Sequence, residues 1–191
     1  MPLLNTDDTY GSLAKFFHWF IAILVLLMLS IGVSFNYLPK SNFVIFLVQV
    51  HKSLGITIGG LMLIRLLWRL INRRPPLPLA MPQWERLLTQ WTHALFYITL
   101  ILMPTTGVIM SFAAGYPIQF WWLATIHLTW IPKNKTLVDL MVSVHGYLAW
   151  TISALIVIHI LGALKHHFIN KDNVLLRMWP KRKKKESLFH R

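Results

Sequence analysis

The sequence predicts an all-α membrane protein, a four-helix transmembrane bundle with both termini in the cytoplasm. Hydrophobic residues make up 55% of the 191 residues and charged residues only 13%, whereas soluble domains average about 45–50% and about a quarter. Four apolar stretches are each long enough to cross about 30 Å of hydrocarbon. Lys and Arg are concentrated at alternate connections between these stretches, which is the pattern that sets membrane orientation.

The first two predicted spans differ in their charge. The first covers about residues 16–35 and contains no formally charged side chain. No small-residue cleavage site follows it, so it is predicted to be a retained helix and not a signal peptide. The second covers about residues 43–70 and carries basic residues near both of its ends.

The last two predicted spans are separated by a long connection. The third span covers about residues 91–114 and contains Pro104, which membrane helices tolerate when neighbours satisfy the freed carbonyl. The fourth, about residues 137–168, is long enough for its ends to stand clear of the hydrocarbon. Residues 72–90 contain four prolines and predict an extended linker. Residues 115–136, rich in Trp and Pro, predict a short interfacial segment at headgroup level.

The chain is predicted to be a single domain, residues 1–191, that ends in a basic tail at 169–191. The net charge is +13, and nine of the nineteen Lys and Arg residues lie between positions 165 and 191. A basic tail can indicate nucleic acid, but on a hydrophobic chain it indicates a cytoplasmic end beside anionic lipid. The second connection carries three arginines and the other two carry one and two lysines. Positive-inside bias therefore places both termini and the second connection in the cytoplasm.

Four histidines lie in the predicted spans in a regular pattern. His145 and His159 are fourteen residues apart, so they face nearly the same side of one helix, about 21 Å apart along its axis. His51 lies near the outer end of the second span and is predicted to face His145. His18 lies near the inner end of the first span and is predicted to face His159. The alternative for each histidine is a buried imidazole that hydrogen-bonds between helices. Four histidines that agree in depth and in pairing favour metal ligation instead.

The available ligands favour a metal that is already held in a macrocycle. The chain has no cysteine, which excludes thiolate sites, iron–sulfur clusters and thioether-linked haem. A bare zinc ion would need further protein ligands to complete its tetrahedron, whereas haem needs only axial donors. The sequence therefore predicts two noncovalently bound b-type haems. Because both axial positions are filled, electron transfer is favoured over oxygen chemistry.

Three further residues are candidate contacts for a cofactor near the inner side. Arg65 lies at the predicted depth of the inner haem, where a guanidinium suits a haem propionate; snorkelling to the interface is the alternative. His93 starts the third span without an equally placed partner, which leaves open a propionate contact, a quinone pocket or a structural cap. His166, near the inner interface, is either a structural residue or a quinone contact.

Six stretches of the sequence carry a resemblance to a known family: Phe17-His18-Trp19, His51 through Gly55, Arg65-Leu66-Leu67, His93 through Tyr97, Pro104 to Gly107, and His159 through Pro180. In these stretches the chain resembles the bacterial cytochrome b561 family of small di-haem, quinone-linked membrane cytochromes. The resemblance covers nearly the whole chain and implies that the axial ligands are His18, His51, His145 and His159. It also implies a multi-pass protein of the bacterial inner membrane that oxidises superoxide on the outer side and reduces ubiquinone. Some relatives carry an acidic residue where this chain has Gly146.

Three functions are compatible with these features. In the first, the chain is an oxidoreductase that passes electrons from a small periplasmic donor through both haems to ubiquinone. In the second, it is a haem-bearing anchor for a partner dehydrogenase or hydrogenase, with residues 115–136 as the docking surface. In the third, the histidines serve a transporter, which is disfavoured because the centres of the spans lack the Asp and Glu that such relays commonly use. Membrane lipid and quinone are the predicted partners, nucleic acid is not, and a homo-oligomer or a dehydrogenase partner stays open.

Overall fold

Four long helices dominate the computed structural model, which describes residues 2–180; residues 181–191, with the basic run of the predicted tail, lie outside the described residues. The helices are α1 (Ser12–Ser34), α2 (Asn42–Ile71), α3 (Gln83–Ala113) and α4 (Lys135–Lys165), followed by a π-helical turn at His166–Asn170 and a short α5 (Val174–Met178). Each long helix is long and apolar enough to cross a membrane. The predicted fold class, a four-helix membrane bundle, is confirmed.

Polar side chains cap the start of two of the four long helices, α2 and α4. The Ser41 side chain accepts a hydrogen bond from the Val44 amide at the start of α2, and the Asn134 side chain accepts one from the Leu137 amide at the start of α4. Such caps satisfy amides that have no partner within the helix. The helix α3 begins directly after Pro82, so the extended linker predicted to reach residue 90 was wrong. The first two turns of α3 are too polar to be recognised from hydropathy as part of a membrane helix.

The bundle has a small core and a wide apolar surface. The buried centre joins Ile21 of α1, Ile58 and Met62 of α2, Leu100 of α3 and Ile152 of α4. Many large apolar side chains point outward along the same helices. This distribution is expected for a protein whose solvent is lipid, because lipid does not drive apolar side chains inward.

Both described ends of the chain meet at one end of the bundle, here called the terminal end. It comprises residues 2–11, 72–82 and 166–180. The Asn5 side chain donates to the Arg73 carbonyl at 2.7 Å. The Thr9 hydroxyl donates to the Arg177 carbonyl at 3.1 Å. These bonds fasten the N-terminal segment to the second connection and to α5.

The opposite end, here called the hairpin end, carries a small two-stranded sheet. Strands β1 (Ile118–Phe120) and β2 (Ala124–Ile126) pair antiparallel within the loop that was predicted to hold an interfacial segment. Trp121 and Trp122, between the strands, have left-handed φ angles of 48° and 58°. The Trp121 amide donates to the Ser53 hydroxyl at 3.0 Å, and its indole donates to the Thr57 hydroxyl at 2.9 Å. The hairpin is therefore anchored on α2, which compensates for the strained turn.

Candidate functional site

The structure brings the four spaced histidines together as two pairs. At the hairpin end, the rings of His51 and His145 have their centres 6.2 Å apart. At the terminal end, the rings of His18 and His159 have their centres 6.0 Å apart. Each pair joins α4 to a different helix, so α4 contributes one ring to each.

The spacing of the rings fits two axial ligands on one metal. A metal–imidazole bond is about 2 Å long and the ring centre lies about 1 Å farther out, so two rings on opposite sides of one iron should be centred roughly 6 Å apart. Both pairs meet this value. Within residues 2–180, no group of three or more His, Cys, Asp or Glu side chains could hold a bare metal ion. The donor set therefore fits haem, which brings its own equatorial nitrogens.

At the hairpin end, Thr106 of α3 orients one ring of the pair. Its hydroxyl donates to the Met103 carbonyl at 2.7 Å, and its oxygen lies 2.9 Å from His145 Nδ1. Because the hydroxyl proton is already used, the oxygen accepts from Nδ1–H, which leaves Nε2 with a free lone pair. Metal-ligating histidines are commonly fixed in this way.

The other ring of this pair has a different environment. His51 Nδ1 is buried and has no hydrogen-bond partner among the described residues. Buried nitrogens without a partner are rare unless a metal, a water or a catalytic role accounts for them.

Two glycines lie beside the pair. A Cβ added at Gly107 would come 3.4 Å from His145 Cε1, and one added at Gly32 would come 3.8 Å from His51 Cε1. The backbones of α3 and α1 therefore lie beside the two rings, at a distance where an added methyl group would be in van der Waals contact with them.

At the terminal end, a third histidine joins the pair. The His93 ring centre lies 5.6 Å from that of His159, and the Phe96 ring packs on the same imidazole with its centre also 5.6 Å away. The sequence indicated no equally placed partner for His93; in the structure its ring contacts His159, which already pairs with His18. The rotation of α3 that brings His93 inward is decided by packing against α2 and α4, and its own sequence does not reveal it.

Arginine occupies the other side of the terminal-end pair. Arg65 Nη2 lies 3.1 Å from His18 Nδ1. The Arg69 guanidinium lies over the Tyr97 ring, 5.1 Å from its centre. Arginine only donates hydrogen bonds, so His18 Nδ1 accepts in this arrangement and Nε2 carries the proton. Ligation through Nε2 therefore requires Arg65 to leave Nδ1.

His166 is buried within a cluster of charged side chains. Its Nδ1 lies 2.6 Å from an Asp172 carboxylate oxygen, and its Nε2 lies 3.7 Å from a Glu85 oxygen. Lys165 forms an ion pair with Glu85. Sequence reasoning missed Glu85 and Asp172, which lay in the predicted linker and tail. The available signal was the rarity of acids, since the chain has only six Asp and Glu residues.

Comparisons with known proteins agree on one family. A family model described as "Prokaryotic cytochrome b561" matches residues 9–181. Cytochrome b561 homolog 2 of Escherichia coli (strain K12) is 35% identical over 186 residues, which cover 93% of this chain and 95% of that protein. Probable superoxide oxidase CybB of Yersinia pestis is 30% identical over 177 residues, with coverage of 91% and 97%. Cytochrome b561 homolog 1 of Escherichia coli (strain K12) is 27% identical over 170 residues, with coverage of 88% and 95%.

Proposed function

The chain belongs to the prokaryotic cytochrome b561 family of multi-pass haem proteins, and on this premise we propose that it transfers electrons through two b-type haems to ubiquinone. Family membership implies haem b and transmembrane electron transfer. The number of haems, their ligands, the electron donor and the acceptor are our proposal. The observation that carries it is the pair of histidine sites with matching ring separations.

Each proposed site uses one ring from α4. His51 and His145 would hold one haem at the hairpin end. His18 and His159 would hold the second at the terminal end, after Arg65 has moved from His18 Nδ1. When bound, each haem supplies a reversible one-electron iron couple. Because two imidazoles would hold each iron, no position on it would be open to oxygen, which favours outer-sphere electron transfer.

The helix α4 fixes the distance between the two sites. His145 and His159 lie fourteen residues apart on one continuous helix, which offsets the two sites by about 21 Å along its axis. That offset covers most of a hydrocarbon core of about 30 Å. The arrangement suits a donor and an acceptor on opposite sides of the membrane.

Charge distribution supports an orientation and a direction. The terminal end carries the arginine-rich connection, and positive-inside bias would place it in the cytoplasm. Arg65 would then be free to pair with a haem propionate, because a guanidinium matches a carboxylate with two parallel hydrogen bonds. The hairpin end would face the periplasm and meet the donor. Superoxide is our proposed donor, since one relative is named a probable superoxide oxidase.

The test combines a spectrum with a directional assay. A reduced-minus-oxidised spectrum and a haemochrome assay of purified protein should give two haems b per chain. In liposomes of known orientation, superoxide at the hairpin end should reduce the haems, and ubiquinone should reoxidise them. One haem per chain would refute the two-site proposal, and reduction by superoxide only from the terminal end would reverse the direction.

A second candidate function is that of a haem-bearing anchor for a partner dehydrogenase. It is favoured by the exposed apolar tip of the hairpin end, where Trp122, Leu123 and Trp130 are 53%, 85% and 74% exposed. Exposed apolar side chains of this kind mark protein–protein or membrane interaction sites, and a docked dehydrogenase subunit would cover them. Copurification of a dehydrogenase subunit, together with haems that do not respond to superoxide, would favour this function over the first.

A further inference from the structure

A buried carboxylate at the terminal end has one oxygen that the protein leaves unpaired. The Glu85 side chain, in the first turn of α3, is only 8% exposed. One of its oxygens pairs with Lys165, whereas Oε2 is buried and has no hydrogen-bond partner among the described residues. A buried polar atom without a partner carries a substantial desolvation cost. A partner that forms only under some conditions would explain why the fold tolerates this cost.

The imidazole of His166 faces this oxygen with a ring that is held from its other side. His166 Nδ1 lies 2.6 Å from Asp172 Oδ2. A carboxylate only accepts hydrogen bonds, so Nδ1 carries a proton and donates it. Asp172 is fixed in turn, because its Oδ1 accepts from the Val174 amide at 3.0 Å and its own amide donates to the His166 carbonyl at 3.1 Å. The second ring nitrogen, Nε2, is therefore the one that is left for Glu85.

The gap between the two side chains lacks a proton. His166 Nε2 lies 3.7 Å from Glu85 Oε2, which is too long for a hydrogen bond. In a neutral ring with a proton on Nδ1, Nε2 is an acceptor, so two acceptors face each other. One proton on Nε2 would turn this contact into a charge-assisted hydrogen bond and would shorten it by roughly 0.8 Å, to a usual length of about 2.9 Å.

A lysine holds the other half of the Glu85 carboxylate in place. The Lys165 ammonium pairs with Oε1 and lies over the Trp84 ring, 5.6 Å from its centre. These contacts keep Lys165 on the side of the carboxylate away from Oε2. The unpaired oxygen therefore has His166 as its facing group.

The other polar neighbours of the imidazole do not fill the gap. Asn170 Nδ2 lies 3.2 Å from His166 Nδ1, on the ring nitrogen that already donates to Asp172. Arg86 follows Glu85 in the sequence, but its guanidinium donates to the Pro78 carbonyl at 3.3 Å. The charged groups that face the imidazole are therefore the two carboxylates, one on each side.

The backbone around His166 is specialised for this contact. The π-helical turn at His166–Asn170 ends at Lys171, which has a left-handed φ of 54°. Turns of this type are rare and occur frequently at functional sites. Here the turn carries Asp172 back beside His166, a contact that a regular continuation of α4 would not allow. The imidazole thereby lies where the start of α3, the end of α4 and the segment before α5 meet.

We propose that the gap between His166 Nε2 and Glu85 Oε2 is a pH-operated contact, here called the proton clasp, which closes when one proton enters it and then ties the start of α3 to the end of α4. The closed form binds a proton that the open form lacks, so acid favours closure and rising pH favours opening. Glu85 and Asp172 both line a cavity of about 300 Å³, so closure also changes the shape of that cavity. The clasp goes beyond the proposed electron transfer and does not depend on it.

Amide hydrogen exchange of the purified full chain tests the clasp at about pH 6 and about pH 8, a range in which histidine side chains commonly change charge. After correction for the intrinsic effect of pH on exchange, the protection of residues 166–174 and of the first turns of α3 should be about ten-fold greater at the lower pH. A hydrogen bond to a charged group commonly contributes at least that factor. The nitrogen NMR signal of His166 Nε2, identified by its loss in His166→Gln, should move over the same range.

Two variants remove the proton site in different ways. His166→Gln replaces the titratable ring with an amide, so the difference in protection between the two pH values should disappear. Glu85→Gln supplies a side-chain N–H that can donate to a neutral Nε2, so the contact should stay closed and protection should be high at both pH values.

Two further variants are matched controls. His167→Gln alters the adjacent histidine, whose ring contacts Phe168, and should keep the full dependence on pH. Lys165→Gln removes the ion pair of Glu85 but leaves Nε2 and Oε2 facing each other, so it should keep the dependence as well.

Each outcome bears on the clasp in a defined way. Equal protection at both pH values in the unaltered protein would overturn it, and this measurement does not require any variant to fold. A pH dependence that persists in His166→Gln or in Glu85→Gln would also overturn it. Loss of the dependence in Lys165→Gln would assign it to that ion pair, which overturns the clasp too. Haem content and electron transfer are measured separately, so none of these results decides the proposed function.

Discussion

The two histidine pairs have nearly the same ring separation but different surroundings. At the hairpin end, the Thr106 hydroxyl hydrogen-bonds His145, and glycines of α3 and α1 lie beside the two rings. At the terminal end, a third histidine and the guanidinium of Arg65 crowd the pair. The bundle therefore repeats one separation of paired imidazole rings in two different electrostatic settings. Positive charge beside an iron centre favours its reduced form, so the difference would draw electrons from the hairpin end to the terminal end.

The largest expected effect comes from removing a ring of either pair. His145→Ala should abolish the hairpin-end haem and His18→Ala the terminal-end haem, each lowering haem content by about half, because a lost axial ligand leaves the iron without its second donor. A haemochrome assay and a redox titration measure the loss. His127→Ala, in the hairpin-end loop, serves as the control. Unchanged haem content in either variant would show that its pair does not hold a haem.

Next in size is the loss of the threonine hydrogen bond at the hairpin end. Thr106→Val should weaken haem binding there by about 10–100-fold, as other losses of partners to ligating histidines do, and leave the terminal end unaffected. Thr105→Val is a matched control, since that exposed hydroxyl only donates to the Ile101 carbonyl of its own helix. Haem titration of the apoprotein compares the two. Equal affinities would mean that the hydroxyl does not orient His145.

A smaller effect should follow from neutralising the arginine at the terminal end. Arg65→Gln should lower the midpoint potential of the terminal-end haem by on the order of tens of millivolts, because it removes a nearby positive charge. The hairpin-end potential should stay the same. Arg73→Gln makes the same change of charge in the exposed second connection. A change in the hairpin-end midpoint potential, or an equal change in Arg73→Gln, would contradict the expected electrostatic difference between the two pairs.

The smallest expected effect concerns the glycines. An alanine Cβ at position 107 would lie 3.4 Å from His145 Cε1, at the short end of van der Waals contact, whereas one at position 146 would meet nothing within 4 Å. Gly107→Ala should therefore broaden or shift the hairpin-end haem band, while Gly146→Ala should leave it unaltered and stabilise α4 slightly by its higher helix propensity. Identical spectra for both variants would show that the approach of α3 does not position the ring.

Most of the fold could be predicted because its signals are local. Hydropathy identifies a span from its own residues, and the fourteen-residue spacing places His145 and His159 on one face without knowledge of any neighbour. The pairing with His51 and His18 followed from depth, which an antiparallel bundle fixes. The depth of a residue in the bundle does not depend on how its helix is rotated.

The rest could not be predicted because it depends on rotation and on loop conformation. The turn of α3 about its axis decides whether His93 faces lipid or His159, and only packing fixes that angle. Glu85 was assigned to a linker because the polar start of α3 resembles a loop in composition. The hairpin that Trp121 fastens to α2 uses left-handed backbone at two tryptophans, which no propensity indicates.

The placement of one ring of each pair on α4 has a consequence for biogenesis. Neither pair exists until the ribosome has delivered α4 and the membrane has accepted it as the last of the four long helices. The bond between Thr9 and the carbonyl of Arg177 joins residues 168 positions apart and forms later still. If the two pairs hold haem as proposed, a nascent chain would offer haem only single imidazoles, and cofactor loading would be a late step that coincides with closure of the bundle.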